Sequence, residues 1–281
     1  MVDTPSVEFD HCRELALLPG SVFEFTSRFL SAGKLEPLLA LYALRQSVST
    51  IPHSPVDDPV KWTKLKWWSE EFIAEPDAPS RHPVLRALWQ SGARAHLGNS
   101  LLLRLVGDAL SEIDMVPDPD ENGMFERQAA LGATEILLEL ALDDAEIDTR
   151  SLDFLGAATG SFRLISSFSA NRLSESTRLP LSLLAKYNVS AEQLEQESHT
   201  TELSHIIVEL AETTLDWYSK GLSGLSIDRK ASASTHLQLR LAMENRRLNV
   251  IRQDARGFLE AGKYFGPADA WFAWRFLRKL R

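Results

Sequence analysis

Among the carboxylates spaced four residues apart are Asp108 with Glu112 and Glu135 with Glu139. On a helix such positions are neighbours, so each pair is able to grip a cation between its oxygens. Without a cation the like charges repel, and a solvated helix face is then the expected setting for both. Asp57-Asp58 follows Pro55 and reads as a helix cap rather than a ligand. Asp143, Asp144, Glu146 and Asp148 form an acidic loop expected to face solvent. His82, His96, His199, His205 and His236 are scattered without H-x-x-x-H spacing, so no zinc site is expected. Ser161, Ser166, Ser167 and Ser169 have no adjacent histidine or nucleophile elbow, and no glycine-rich phosphate loop is present. Trp67-Trp68 would serve as a ligand platform, although such aromatics more often belong to a core. These residue types therefore assign no catalytic group and no metal ligand.

The elements that would carry these side chains all read as helices. Apolar residues from Leu35 to Val48 recur every three to four positions, and Pro52 and Pro55 stop that helix near Ser49 to Ile51. A first helix is expected around Phe9 to Leu18, ended by Pro19-Gly20, and a second from Ser21, closed by Gly33. Asp57 or Asp58 caps the next, with the aromatic stripe Trp62, Leu65, Trp68, Phe72. Further helices are expected over Val84 to Ala95, Asn99 to Val116, Phe125 to Leu142, Asp148 to Leu173, Glu202 to Tyr218, Ser232 to Leu259 and Pro267 to Leu280. No stretch alternates with period two, so no sheet is expected. Residues 117–123 read as a hinge between helices rather than a linker, which leaves residues 1–281 as one all-α domain.

Composition excludes several classes of function. The net charge is −9, which argues against nucleic acid as a partner. Cys12 is the only cysteine, so neither an intrachain disulfide nor a thiolate metal cluster is available. The first residues include Asp3, Glu8 and Asp10 and lack the pattern of a signal or transit peptide. No apolar run is long enough to span a bilayer. The expected setting is the cytoplasm, at most peripheral to the inner membrane. The peripheral element would be the C-terminal Trp271-Phe272-Ala273-Trp274-Arg275-Phe276-Leu277-Arg278-Lys279-Leu280-Arg281, aromatic and basic without an acid. The same pattern suits a core helix with a basic edge paired internally, the reading the acidic remainder of the chain favours.

Ser21-Val22-Phe23, Ala40-Leu41-Tyr42-Ala43, Leu65-Lys66-Trp67-Trp68-Ser69-Glu70-Glu71 and His82-Pro83-Val84 follow one another in an order and spacing that resembles the squalene/phytoene synthase family. Residues 155–190 resemble a second family segment without a gap, so the likeness is strongest over 21–190. It implies an all-α bundle of the isoprenoid synthase type around a central apolar cavity, with Phe23, Tyr42, Trp68, Phe125, Gly132 and Phe162 as its lining.

The likeness fails where the family does its chemistry. Ser49, Thr50 and His53 stand where the first aspartates belong, and Ser167 and Asn171 where the second pair belongs. Arg163 occupies an asparagine position, and Leu35 and Gln46 replace arginines. Ionising an allylic diphosphate needs Mg²⁺ held by carboxylates, and hydroxyl, amide and imidazole groups are poor substitutes for that hard cation. The chain is in this respect similar to the non-catalytic branch of the family that includes a mitochondrial complex I assembly factor. The resemblance then implies a binding or assembly protein with no cofactor, an apolar or isoprenoid-like ligand and a protein partner. The alternative is a prenyltransferase acting on isoprenoid diphosphates through other residues, which would require Mg²⁺.

Overall fold

A computed structural model describes residues 7–74, 80–113, 115–143, 145–168, 178–194, 200–224, 234–261 and 265–280. Asn171, His199 and Asp144 fall outside them. Among the described residues the regular elements are helices without a strand. Helices α1 (Val7–Ala16), α2 (Val22–Ser27) and α3 (Ala32–Ser49) open the chain. The Ser21 hydroxyl accepts from the Glu24 N–H at 3.1 Å and starts α2, as its residue type predicts. Gly33, expected to close that helix, lies inside α3 instead, because α2 already ends at Ser27.

Helix α3 buries Leu38, Leu39, Leu41, Leu44 and Val48, the expected stripe, and stops at Thr50 ahead of Pro52. Helix α4 (Asp58–Ile73) has Asp57 at its cap position and Pro59 in its first turn, and buries Leu65, Trp68 and Phe72. The helix expected over Val84 to Ala95 is two, α5 (Pro83–Gln90) and α6 (Ala93–His96). Gly92 separates them at φ +76°, a left-handed conformation that a residue with a Cβ adopts only at a cost.

Helices α7 (Asn99–Ser111), α8 (Glu121–Ala141) and α9 (Thr149–Ser167) form the centre. Asp120 and Asp148 cap α8 and α9, each accepting a backbone N–H at 2.9 Å, from Gly123 and Ser151. Asp148 thus caps α9 while staying exposed to solvent, as expected. Where α8 meets α9, a Cβ on Gly132 would lie 2.7 Å from the Gly156 carbonyl carbon, and one on Gly156 would lie 2.5 Å from the Ala129 oxygen. Only residues without a Cβ permit that approach.

Helices α10 (Leu181–Lys186), α11 (Ala191–Leu194), α12 (Thr200–Gly224), α13 (Ser234–Gln253), α14 (Ala255–Ala261) and α15 (Pro267–Leu280) complete the chain. The Ser232 to Leu259 stretch breaks at Asp254, whose carboxylate accepts from the Gly257 N–H at 2.9 Å and starts α14. One apolar cluster gathers α1, α3, α4, α5 and α7; the other gathers α9, α12 and α13. Val22 and Phe25 of α2 join the second cluster and Leu138 of α8 the first, so α2 and α8 tie the two together.

Candidate functional site

Between the two clusters lies a cavity of about 650 Å³. Leu15, Leu18, Val22, Phe23 and Phe162 supply an apolar wall. Tyr42, Arg45, Glu135, Arg163, Arg240 and Glu244 supply a charged one, so the hollow is amphipathic rather than wholly apolar. Phe23 stacks on Tyr42 with ring centroids 3.7 Å apart, which fixes the boundary between the walls.

The charged wall is a buried ion-pair network that local sequence patterns did not anticipate. Arg45 of α3 pairs with Glu135 of α8, and its Nη1 lies 3.6 Å from Glu139. Arg163 of α9 donates to Glu135 at 2.5 Å. From α13, Arg240 Nε lies 2.9 Å from Glu139 and Nη1 donates to Glu244 at 2.8 Å. The Tyr42 hydroxyl donates to Glu139 at 2.6 Å, and His236 Nδ1 faces the other Glu139 oxygen at 3.2 Å. The Tyr218 hydroxyl donates to Glu244. Beside these, Glu112, at the C-cap of α7, pairs with Arg178 and lies 3.5 Å from His53 and 3.9 Å from Arg163.

Glu135 and Glu139, expected on a solvated face, are therefore buried. The reason is tertiary: α3, α9 and α13 surround α8 and bring guanidinium groups to its carboxylates. Glu112 is likewise out of water, its side chain only 5% exposed. Burial alone would raise the Glu139 carboxyl, but Arg240, His236 and Arg45 outweigh it and hold its pKa down to about 2. Burial is outweighed at Glu112 too, by the His53 hydrogen bond and the charges of Arg163 and Arg178, again to about 2. Glu135 is lowered for the same reason, by Arg45 and Arg163. Glu244 goes the other way, because burial exceeds what Arg240 and Tyr218 return. Asp108, mostly buried, is pushed up to about 6 by burial, with Thr134 and Arg104 opposing.

The remaining expected site residues separate into several places. Phe23, Tyr42, Phe162 and Ser167 line the large cavity. Ser49 borders a small pocket of about 100 Å³ with Gln46, Glu112 and Arg163. Thr50 and Trp68 instead line a separate cavity of about 510 Å³ between α3 and α4, with Trp67 and His82. Phe125 packs on Phe154 and Trp217, centroids 5.6 and 5.1 Å away, and Gly132 is consumed by the α8–α9 contact. Trp68, Phe125 and Gly132 are thus not part of the large cavity's lining, because each faces a different neighbour across its helix. Arg45, Arg240, Glu244 and His236 are additions. A signal for the α13 residues was present, since Arg240, Glu244 and Arg247 are spaced i, i+4, i+7 on one helix face.

The acids of the cavity already carry counter-charges. The cavity's carboxylates are bonded to guanidinium or phenol groups, and the α3 and α9 positions facing it include Gln46, Ser166 and Ser167. Among the described residues no three His, Cys, Asp or Glu side chains gather in a way that would hold a metal ion. Arginine beside each acid repels a dication from the oxygens it would need.

An all-α bundle with an amphipathic central cavity is the architecture of isoprenoid synthases. The chain belongs to the squalene/phytoene synthase family, whose sequence model matches residues 19–263. Its fold is similar to squalene synthase HpnC from Alicyclobacillus acidocaldarius, at 16% identity and a TM-score of 0.66, over 88% of this chain and 94% of that one. It is also similar to a dehydrosqualene synthase in complex with ligand, at 13% identity and a TM-score of 0.69, over 97% and 95% of the two chains. No curated protein matches the sequence significantly.

Proposed function

We propose that this chain is a non-catalytic member of its family, a binding or assembly factor whose cavity takes an apolar or isoprenoid-like ligand. The carrying observation is the buried network in which Arg45, Arg163, Arg178 and Arg240 neutralise Glu112, Glu135, Glu139 and Glu244. Leaving of a diphosphate needs cations held by acids that are free to bind them. These acids have internal counter-ions instead, and the aspartate positions of the family are Ser49, Thr50, His53 and Ser167 here. Those substitutions favour the assembly-factor branch, and with it a protein partner.

The test is incubation of the purified chain with farnesyl or geranylgeranyl diphosphate and Mg²⁺. The expected result is no pyrophosphate release above the blank. Mg²⁺-dependent release that disappears in Glu135→Gln or Glu139→Gln would overturn the reading and establish a prenyltransferase with unusual site residues.

A peripheral contact with the inner membrane is the second part of this proposal, and α15 supports it. Its inner face, Phe272, Ala273, Phe276 and Leu277, packs on the core. Its outer face holds Trp271 and Trp274, 58% and 50% exposed, with Arg275 and Arg278 stacked on them at 5.2 and 4.8 Å. Among the described residues Arg275, Arg278 and Lys279 make no ion pair, contrary to the internal pairing expected of a basic edge. Aromatic rings beside unpaired cations suit an anionic lipid surface. No described helix is long and apolar enough to cross a membrane.

A further inference from the structure

The charge balance of the cavity specifies the ligand further. Among the described residues, Arg45, Arg163 and Arg240 on the cavity wall pair with Glu135, Glu139 and Glu244, and Glu260 at the rim pairs with Arg256 at 2.8 Å. Arg247 also lines the cavity, and it has no ion-pair partner among the described residues. Its guanidinium stands over the Phe265 ring at 5.0 Å, and the acid whose charge it feels, Asp269, is already bonded to Arg246 at 2.6 Å. A half-buried cation is therefore left over on the polar wall.

Hydrogen bonding points the same way. Arg240 is 2% exposed, yet its Nη2 has no acceptor, and Arg45 Nε has none either. Unmet guanidinium N–H groups out of water are costly, and an acceptor oxygen entering the cavity would relieve them. Arg240 and Arg247 lie two turns apart on the same face of α13, and both line the cavity. Opposite them stands the apolar wall of Leu15, Leu18, Val22, Phe23 and Phe162.

Taking the non-catalytic reading as its basis, we infer that the cavity binds a long-chain carboxylate, its head on Arg247 and Arg240 and its chain along the α1–α2 wall. A single negative charge neutralises the excess on Arg247. A diphosphate would bring several charges into a wall already holding paired glutamates, without a metal to offset them, and burying such a surplus is expensive. A neutral alcohol would leave Arg247 uncompensated.

The experiment titrates the full chain with laurate, 1-dodecanol, dodecyl sulfate and farnesyl diphosphate, the last with and without Mg²⁺, by isothermal calorimetry below the micellar range. Laurate should bind one per chain at least tenfold more tightly than dodecanol. Dodecyl sulfate distinguishes a general requirement for one negative charge from a carboxylate fit and should bind more weakly than laurate. Arg247→Gln should abolish the advantage of laurate over dodecanol, and Arg247→Lys, which keeps the charge, should retain most of it. Leu18→Ser, at the exposed end of the apolar wall, should weaken laurate and dodecanol alike, which keeps the inference testable if the arginine variants fail to fold. Equal affinity for laurate and dodecanol, sulfate binding ahead of carboxylate, or tighter Mg²⁺-dependent binding of farnesyl diphosphate would each overturn it. Pyrophosphate release with the laurate preference intact would overturn only the non-catalytic reading. Loss of the preference without turnover would overturn only this one.

Discussion

Arg240 Nε lies 2.9 Å from Glu139 Oε1, and the two side chains are 3% and 1% exposed. Glu139 also receives the Tyr42 hydroxyl and faces His236, so it holds α3, α8 and α13 at one point.

Removing its charge should be severe. Glu139→Gln leaves Arg240 and Arg45 short of a counter-ion in a dry site, where breaking a buried pair costs about 3–5 kcal/mol. Urea unfolding of the variant should show a loss of that size, and the double variant Glu139→Leu/Arg240→Met should recover only part of it, because Glu244 then loses Arg240 and Arg45 stays short of an acid. A loss below about 1 kcal/mol would mean water reaches this network freely.

Acid should loosen the fold over a defined window. Glu112 and Glu139 titrate near 2 when folded, below the ordinary 4.5, so their stabilisation is complete above about pH 5 and is lost as pH falls toward 2. Each is worth on the order of 3 kcal/mol at neutral pH. Glu112→Gln should accordingly be less stable than the parent at pH 7 and close to it at pH 2. Asp108 has the opposite sign: its folded pKa is raised to about 6, so its ionisation above that pH costs stability. Asp108→Asn should gain about 1–3 kcal/mol at pH 7, with the gain vanishing near pH 4. Chemical denaturation at the three pH values measures both.

The α8–α9 contact should reject even one methyl. Gly132→Ala would drive a Cβ against the backbone of Gly156, which no side-chain rotation relieves. A loss of about 3 kcal/mol or more is expected, at the upper end of overpacking. Gly107 in α7 has open space where a Cβ would stand, with nothing within 4 Å, so Gly107→Ala should gain about 0.5–1 kcal/mol. Thermal melts of the pair separate a packing requirement from mere helix propensity.

Binding to lipid should depend on the outer face of α15. Trp271→Ser/Trp274→Ser alters side chains that face away from the core. It should reduce partitioning onto phosphatidylglycerol vesicles by about tenfold, corresponding to roughly 1.4 kcal/mol, and added salt should weaken the parent's binding. Equal binding to neutral and anionic vesicles would count against the Arg275–Arg278 contribution.

Much of the architecture was legible in the sequence because its signals are local. Leu38, Leu41, Leu44 and Val48 report one helix face, Asp57 and Ser21 report its neighbours' starts, and Pro52 reports an end. The residue types at positions 49, 53 and 167, where the resemblance implies aspartates, were equally legible, since a side chain's ligand chemistry belongs to its type. Breaks were harder to read. Gly92 and Asp254 each interrupt a continuous apolar stripe by a turn or cap that periodicity does not register.

What the sequence by itself determined was an all-helical chain of the squalene/phytoene synthase family. What only the tertiary structure decided was the fate of the acids that remain. Glu139 and Tyr42 are 97 residues apart, as are Glu139 and His236. An i, i+4 pair of glutamates looks the same on a wet face and in a dry layer, because the difference lies in which helices pack over it. Here those helices bring arginines, and the low dielectric of the interior turns each pairing from a surface detail into a determinant of charge and stability.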